Sequence, residues 1–352
     1  MDKNPPKIWL LASPHTGDNT QLLALAENLG WPYDIKKLSY RGSHVFSRFL
    51  PNSLRGLTDE SRAELAPPYP NLIIGAGQPT EPIALWLKQN APHKTRVVYM
   101  GTPWANLKNF DLVITTPQYQ LPKRENVLHI DLPLHKIVPG KLRAAANFWE
   151  PKLKHLPRPW TAVLIGGASG PYTFNEAAAT RLAEQSQANS GSLLITTSAR
   201  TPELTAATLK NSLTMPHYFH QWNNDSSENP FFGFLSLADQ FIVTADSISM
   251  LSEACATGKP VQMFDTEQGR FAMHDDNKRI YWRGCNLKTT IFRIAMRVAP
   301  KRWSRDLRIV HRQLLASGQA TWLGDAAPTR NAKLATSALE LATTRVKALF
   351  DL

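Results

Sequence analysis

Short β-branched runs alternate with helix-forming runs along most of this chain, and a proline-rich interval divides the alternation in two. Before the interval, period-two and short apolar patterns predict strands over 7–12, 33–38, 71–75, 96–100, 111–115 and 127–130. Helices are predicted over 19–29 and 80–90. Pro139, Gly140, Pro151, Pro157 and Pro159 make 139–159 a candidate linker. A second strand–helix series then runs over 160–264, and from about Leu287 the pattern reads as helices with a polar loop near 324–328. Such alternation implies parallel sheets covered by helices on both faces. The expected fold is therefore α/β, with two Rossmann-like domains facing across a cleft. Their expected extents are 1–145 and 155–300, followed by C-terminal helices over 301–352.

Length agrees with two domains, since 352 residues exceed one typical hydrophobic core. No apolar run approaches a membrane span, and the N-terminus lacks a signal peptide's apolar core, so a cytoplasmic location is expected. Two cysteines, Cys255 and Cys285, argue against a disulfide scaffold or a zinc cluster. His274-Asp275-Asp276 reads as a solvated loop, and no metal site is expected. The net charge of +12 favours polyanionic partners: nucleic acid, an anionic membrane face or phosphorylated substrates. Nucleic acid is the least favoured, because the chain has no zinc finger, RNP sequence or helix-turn-helix pattern.

The function-bearing pattern lies in the second half. Residues 241–244 form a β-branched run, after which Asp246 or Ser247 is expected to cap a helix that Gly258 ends. Helical spacing puts Asp246, Ser249, Met250 and Glu253 on one face. A helix N-terminus behind a strand favours phosphate. A carboxylate two turns along, Glu253, can accept hydrogen bonds from a ribose diol; an ordinary amphipathic helix with one exposed Glu would look the same. A second strand, 162–165, runs into Gly166-Gly167-Ala168-Ser169-Gly170 and then a strong helix former. This arrangement lets backbone amides approach an anion, although its spacing is neither the dinucleotide fingerprint nor a Walker loop. A third strand, 192–196, ends in Thr197-Ser198-Ala199-Arg200, hydroxyls and a guanidinium suited to a diphosphate.

In the first half, the strand over 7–12 ends in Ser13-Pro14-His15-Thr16-Gly17-Asp18. This loop is the best place for a general base, with His15 and Asp18 as candidates. Asp18 reads equally as a helix N-cap. Gly75-Ala76-Gly77-Gln78 and Met100-Gly101-Thr102-Pro103 are two further loops of the same kind, and Gln78 could hydrogen-bond a sugar. From Ile35 to Leu57 there are five cations and no acid: Lys36, Lys37, Arg41, Arg48 and Arg55. Phe46, Phe49, Leu50 and Leu54 are interleaved, a composition suited to an anionic bilayer. A second basic block, 278–312, contains only one acid, Asp306.

Several blocks carry a resemblance: Gly17-Asp18-Asn19-Thr20-Gln21, Ile73-Ile74-Gly75-Ala76-Gly77, Val163-Leu164-Ile165-Gly166-Gly167, 196–202, Asn229-Pro230-Phe231 and Thr244-Ala245-Asp246-Ser247. Together they resemble the family named for a plant mitochondrial-fission factor, which has many bacterial members. That family looks like the GT-B glycosyltransferases. The Gly-Gly-x-Ser-Gly loop and the Ser-x-x-x-Glu helix are similar to the site of the peripheral-membrane enzyme that adds N-acetylglucosamine to a lipid-linked peptidoglycan precursor. The resemblance implies a nucleotide-sugar site with Glu253 at the ribose and the 166–170 loop at the phosphates. It also implies a terminal helix returning to the first domain.

The expected activity is metal-independent glycosyl transfer from a nucleotide sugar, used as substrate rather than cofactor. The acceptor would stand at the cytoplasmic membrane face, on an anionic surface or as a lipid-linked molecule. The rival expectations are a non-catalytic binding protein of the same fold and a sugar-nucleotide epimerase or hydrolase. The epimerase or hydrolase would use Asp265 and Glu267, which could equally orient donor hydroxyls in a transferase.

Overall fold

The computed structural model describes residues 5–41, 53–169, 172–188, 190–223, 228–268, 272–273, 305–326 and 338–351. The chain divides into two compact units. The first contains the described residues up to Lys136, together with Arg305 and residues 338–351. The second contains the described residues from Ile137 to 273 and from 306 to 326.

Elements of the first unit are β1 (Ile8–Leu11), α1 (Thr16–Leu29), β2 (Tyr33–Lys36), α2 (Asp59–Ala63), β3 (Leu72–Ala76), α3 (Glu81–Asn90), β4 (Arg96–Met100), β5 (Leu112–Thr115) and β6 (Val127–His129). The six strands form one parallel sheet in the order β2-β1-β3-β4-β5-β6. Both faces are covered, which is why β1 and β3 carry no polar side chain and β5 only its terminal Thr115. Ile8 and Leu10 enter a core shared with α1, while Trp9 and Leu11 enter a second core shared with α3. The sheet order reverses between β1 and β3, which are hydrogen-bonded neighbours.

The second unit begins with α4 (Pro139–Leu153). It continues through β7 (Trp160–Leu164), α5 (Glu176–Ser186), β8 (Ser192–Thr196), α6 (Glu203–Asn211), β9 (His217–His220) and α7 (Phe231–Leu237). Then come β10 (Gln240–Thr244), α8 (Ile248–Cys255), β11 (Val261–Phe264), α9 (Leu307–Ala316) and β12 (Thr321–Trp322). Its sheet is also parallel, in the order β12-β11-β10-β7-β8-β9. Counted from β7, this is the Rossmann order, and the reversal falls between β7 and β10. Ligands of open α/β sheets bind outside the carboxyl ends of the strands at such a reversal.

Two sequence expectations need correction here. Residues 139–153 are a helix, not a linker. Pro139 opens it, where the missing N–H has no intrahelical partner to lose. Pro151 lies inside it near the C-terminal end, where its missing N–H removes one i→i−4 hydrogen bond without ending the helix. Tertiary packing holds this helix: Trp149 is buried against α7 so closely that a Cβ on Gly233 would stand 2.4 Å from its ring. The segment 301–352 is also divided, because α9 and β12 belong to the second unit. The helix α10 (Ala338–Ala348) packs on the first. There Asn28 donates to the Thr343 hydroxyl at 2.7 Å, and the Trp31 and Phe350 rings meet edge to face.

Candidate functional site

The ends of β8, β7 and β10, three adjacent strands, carry the second-half residues singled out in the sequence. The Thr244 hydroxyl accepts from the Gly166 N–H at 2.8 Å, joining the two turns that flank the reversal. A Cβ at Gly166 would lie 2.6 Å from Asp246 Oδ2, 2.7 Å from Ser247 Cβ and 2.9 Å from Arg200 Nη2. Glycine is thus required for close approach. At Gly167 the requirement is doubled, since its φ is +111° and a Cβ would meet the Arg200 carbonyl at 2.3 Å.

Arg200 is the charged centre of this cluster. Its guanidinium donates to the Ala168 carbonyl at 2.8 Å and lies 3.1 Å from Asp246 Oδ2. The Asp246 side chain is wholly buried, whereas that of Arg200 is 38% exposed. The carboxylate therefore anchors a cation whose other edge reaches solvent. Ser198 supports the same loop, with its hydroxyl donating to the Gly166 carbonyl and accepting from the Arg200 N–H. Thr197 is buried and accepts from the Trp222 N–H at 2.7 Å. Gly170 lies outside the described residues.

Several expectations change on this geometry. Neither Asp246 nor Ser247 caps α8 with its side chain: Ser247 occupies the cap position without a side-chain hydrogen bond, and Asp246 turns to Arg200. Asp246 precedes the helix and so does not share a helical face with Ser249, Met250 and Glu253. The first-turn amides of α8 are consequently left without a side-chain cap. The amides of the 166–169 loop are mostly engaged. Gly166 N–H serves Thr244, Ala168 N–H serves the Arg200 carbonyl, and Ser169 N–H serves the Tyr172 carbonyl.

Glu253 is not an exposed carboxylate. It is 7% exposed, and no hydrogen bond or ion pair reaches it among the described residues. Burial pushes its carboxyl up to about 8, against the opposing influence of Lys141. An unanswered buried carboxyl is costly and calls for a donor. Ser249 lies half-buried in the first turn of the same helix. Asp265 and Glu267 do not serve as spare carboxylates. Asp265 accepts from the Glu267 and Met273 N–H groups, and Glu267 accepts from both the N–H and the hydroxyl of Thr173. Asp265 organises its own loop, and Glu267 ties that loop to the one before α5.

In the first unit, α1 starts at Thr16, so Asp18 lies in its first turn and His15 occupies the cap position. The His15 side chain makes no capping hydrogen bond and is exposed. The Asp18 carboxylate accepts from the Ser13 hydroxyl at 2.8 Å. It also stands 2.9 Å from where a Cβ of Gly77 would be, beside the β1–β3 reversal. Asn19 closes the loop through both Ser13 backbone groups. Gln78 opens a half-buried 3₁₀ turn after β3.

Arg41 pairs with Asp59, and Arg55 is exposed. Leu54 packs on the first-unit core. Arg48, Phe46, Phe49 and Leu50 lie outside the described residues, as do His274, Asp275, Asp276 and most of the 278–312 block. Among the described residues no cluster of His, Cys, Asp or Glu could hold a metal ion. Among the same residues no helix is long and apolar enough to cross a membrane.

Sequence reasoning missed Thr244. Its only signal is a hydroxyl at the end of an apolar strand, a position that a β-branched residue fills for strand propensity alone.

Comparison with known proteins adds family membership. A curated relative, the mitochondrial fission protein ELM1 of Arabidopsis thaliana, is 28% identical over 272 residues. The match covers 70% of this chain and 64% of the plant protein, so the chain spans less than two thirds of that relative's length. An uncharacterized protein of Rickettsia prowazekii is 29% identical over 301 residues, covering 73% of this chain and 82% of the relative. Among solved structures, a glycosyltransferase from Rickettsia africae is similar at a TM-score of 0.48 and 11% identity, covering 99% of this chain and 98% of that one. A UDP-GlcNAc 2-epimerase from Neisseria meningitidis is similar at a TM-score of 0.44 and 12% identity, covering 88% and 100%. The family model described as mitochondrial fission ELM1 matches residues 16–290, which include the β7–β10 reversal and the candidate site residues of the second unit, and the chain belongs to that family.

Proposed function

We propose that the protein binds a nucleotide sugar at the carboxyl edge of the second unit's sheet and transfers the sugar to an acceptor hydroxyl at a cytoplasmic membrane face. The observation that carries this reading is the Arg200 guanidinium, anchored by buried Asp246 beside the uncapped N-terminus of α8 at the β7–β10 reversal. Arg200 and the first amides of α8 receive the diphosphate. The 166–169 loop shapes the floor through its glycines, and Gly167 retains the amide not already used there. Glu253 receives the ribose diol, which supplies the donors its carboxyl lacks.

In the reaction the acceptor oxygen bonds to the anomeric carbon as the bond from that carbon to the diphosphate oxygen breaks. Nucleoside diphosphate leaves, and its developing charge is met by Arg200 and the helix dipole. The acceptor proton passes to a general base, for which the sequence candidates are Asp18 and His15. Asp18 is preferred to His15 because its carboxylate is held by Ser13 beside the first unit's strand reversal, while the His15 imidazole is exposed. A binding protein without transfer chemistry is the second reading. It is favoured by the same Ser13 hydrogen bond, which occupies one oxygen of that carboxylate.

Thermal stabilisation by uridine, guanosine, cytidine, thymidine and adenosine diphosphates and their sugar conjugates tests the site. One of them should raise Tm by several degrees, and Arg200→Ala should abolish the effect. If none stabilises the protein, the assignment falls. Stabilisation without hydrolysis or transfer of the sugar establishes the binding reading instead.

A further inference from the structure

The turn that carries Asp246 and Ser247 is held from behind by a residue far away in sequence. Helix α9 buries one face, formed by Leu307, Val310, His311 and Leu314. From that face the His311 Nε2 meets the Ala245 carbonyl at 2.7 Å. A carbonyl can only accept, so Nε2 carries the proton. The ring is 1% exposed and packs edge to face on Trp322, 5.5 Å between centroids. Its Nδ1 is buried without a hydrogen-bond partner among the described residues. A buried imidazole with one satisfied nitrogen must be neutral to be tolerated. Burial indeed lowers its pKa to about 4, although the Ala245 hydrogen bond and Asp306 act the other way and Arg308 and Arg312 reinforce the fall.

Ala245 is itself fully buried. Its N–H pairs with the Phe264 carbonyl of β11 at 2.9 Å, continuing the sheet by one residue. Its carbonyl then leaves the sheet, and the peptide plane it belongs to also contains the N of Asp246. Fixing that carbonyl fixes the direction in which the chain enters the turn. It thereby sets where the Asp246 carboxylate meets Arg200 and where α8 begins. Without a donor the carbonyl would be a buried orphan, and the turn would gain by rotating it toward solvent.

We infer that His311 is a positioning residue for the nucleotide site: a neutral Nε2–H clamp on the Ala245 carbonyl that holds the Asp246–Ser247 turn and the N-terminus of α8 in register with Arg200. The clamp rests on the proposed function for its purpose, but its mechanical part does not. It also lies beyond residues 16–290, so the site borrows a support from outside the segment that defines the family.

The test compares the full-length wild type with His311→Phe, which keeps the ring and removes the donor, and His311→Gln, whose amide N–H can reach the same carbonyl. Hydrogen exchange is read by mass spectrometry without ligand. Peptides spanning 245–250 should exchange at least about ten-fold faster in His311→Phe, while peptides from β7 and β8 remain as in wild type, and His311→Gln should restore the local rate. Unchanged exchange at 245–250, or equal acceleration through the whole unit, overturns the clamp. Uridine diphosphate titration provides the second arm: its Kd should rise about ten-fold or more in His311→Phe and recover in His311→Gln. Equal binding by the three proteins overturns the link to the site. If wild type does not bind uridine diphosphate, the exchange result alone decides the clamp and the failure belongs to the proposed ligand.

Discussion

Replacing Glu253 by Gln should stabilise the free protein, and the gain should grow with pH. In the unfolded chain this carboxyl ionises near its ordinary 4.5, whereas in the folded chain burial holds it at about 8. Between those values the folded state binds more protons than the unfolded state. Stability therefore falls as pH rises through the interval and levels off above the folded pKa. Each pH unit crossed within the interval costs about 1.4 kcal/mol, so the penalty grows by about 2–3 kcal/mol between pH 5 and pH 7. Gln has nearly the same shape and cannot ionise, so it removes the pH-dependent part and keeps the packing. Denaturant unfolding of wild type and Glu253→Gln at pH 5, 6, 7 and 8, with the transition of the second unit followed, gives the difference directly. The two proteins should be nearly equal at pH 5 and diverge by about 2–3 kcal/mol at pH 7. A constant difference across this range would refute the reasoning, because the carboxyl would then ionise alike in both states. Binding should show the complementary effect. A ribose diol donating to Glu253 favours its charged form, so affinity for a nucleoside diphosphate should increase as pH rises toward 8 and flatten beyond it.

Other substitutions probe the same neighbourhood. Glu253→Ala should weaken nucleoside diphosphate binding by about 1–3 kcal/mol in a calorimetric titration; equal affinity would remove Glu253 from the ribose site. Gly166→Ala drives a methyl group to within 2.6–2.9 Å of Asp246, Ser247 and Arg200. It should cost about 1–3 kcal/mol of stability and abolish binding; a fully stable variant with normal affinity would show that the turn is not close-packed. The half-buried Cys255 thiol, pushed up to about 12 by desolvation, should react with a disulfide reagent more slowly than a small free thiol at pH 8 in a Cys285→Ser background, and reaction at the free-thiol rate would contradict this. Changing Arg41, Arg48 and Arg55 to Glu should weaken binding to anionic phosphatidylglycerol vesicles, as should high salt. Equal wild-type binding to neutral vesicles would end the electrostatic account.

The strand–helix alternation is legible in the sequence because both sheets are parallel and covered on both faces, so their strands are short, apolar and easily delimited. The clustering of the second-half candidate residues at adjacent strand ends is legible for the same reason: glycines, hydroxyls and charges stand where such strands stop. The wiring among them is not. Spacing makes Asp246 a helix cap, but a buried Asp beside a guanidinium gains more from the ion pair than from an N–H two residues on. Spacing likewise makes Glu253 an exposed face residue, because a helix pattern shows which residues align and not which side another element covers. Helix α4 reads as a linker because its prolines outweigh its alanines locally, while the burial of Trp149 against Gly233 that holds it depends on a segment some eighty residues later. His311 cannot be found at all from local pattern, since its partner is a backbone carbonyl 66 residues away.

The two units repeat one arrangement with opposite electrostatics. In each, a glycine after a strand at the sheet reversal leaves no room for a side chain because a carboxylate stands there: Asp18 at Gly77, Asp246 at Gly166. Asp246 is answered by Arg200, so the local charge is neutralised and the exposed edge of the guanidinium, with the α8 dipole, leaves a net preference for an anion. Asp18 is answered by the Ser13 hydroxyl, and among the described residues no cation pairs with it. The carboxylate of Asp18 thus has a hydroxyl as its partner where that of Asp246 has a guanidinium. A nucleotide sugar needs the first environment at its diphosphate, and an acceptor hydroxyl needs the second at its oxygen.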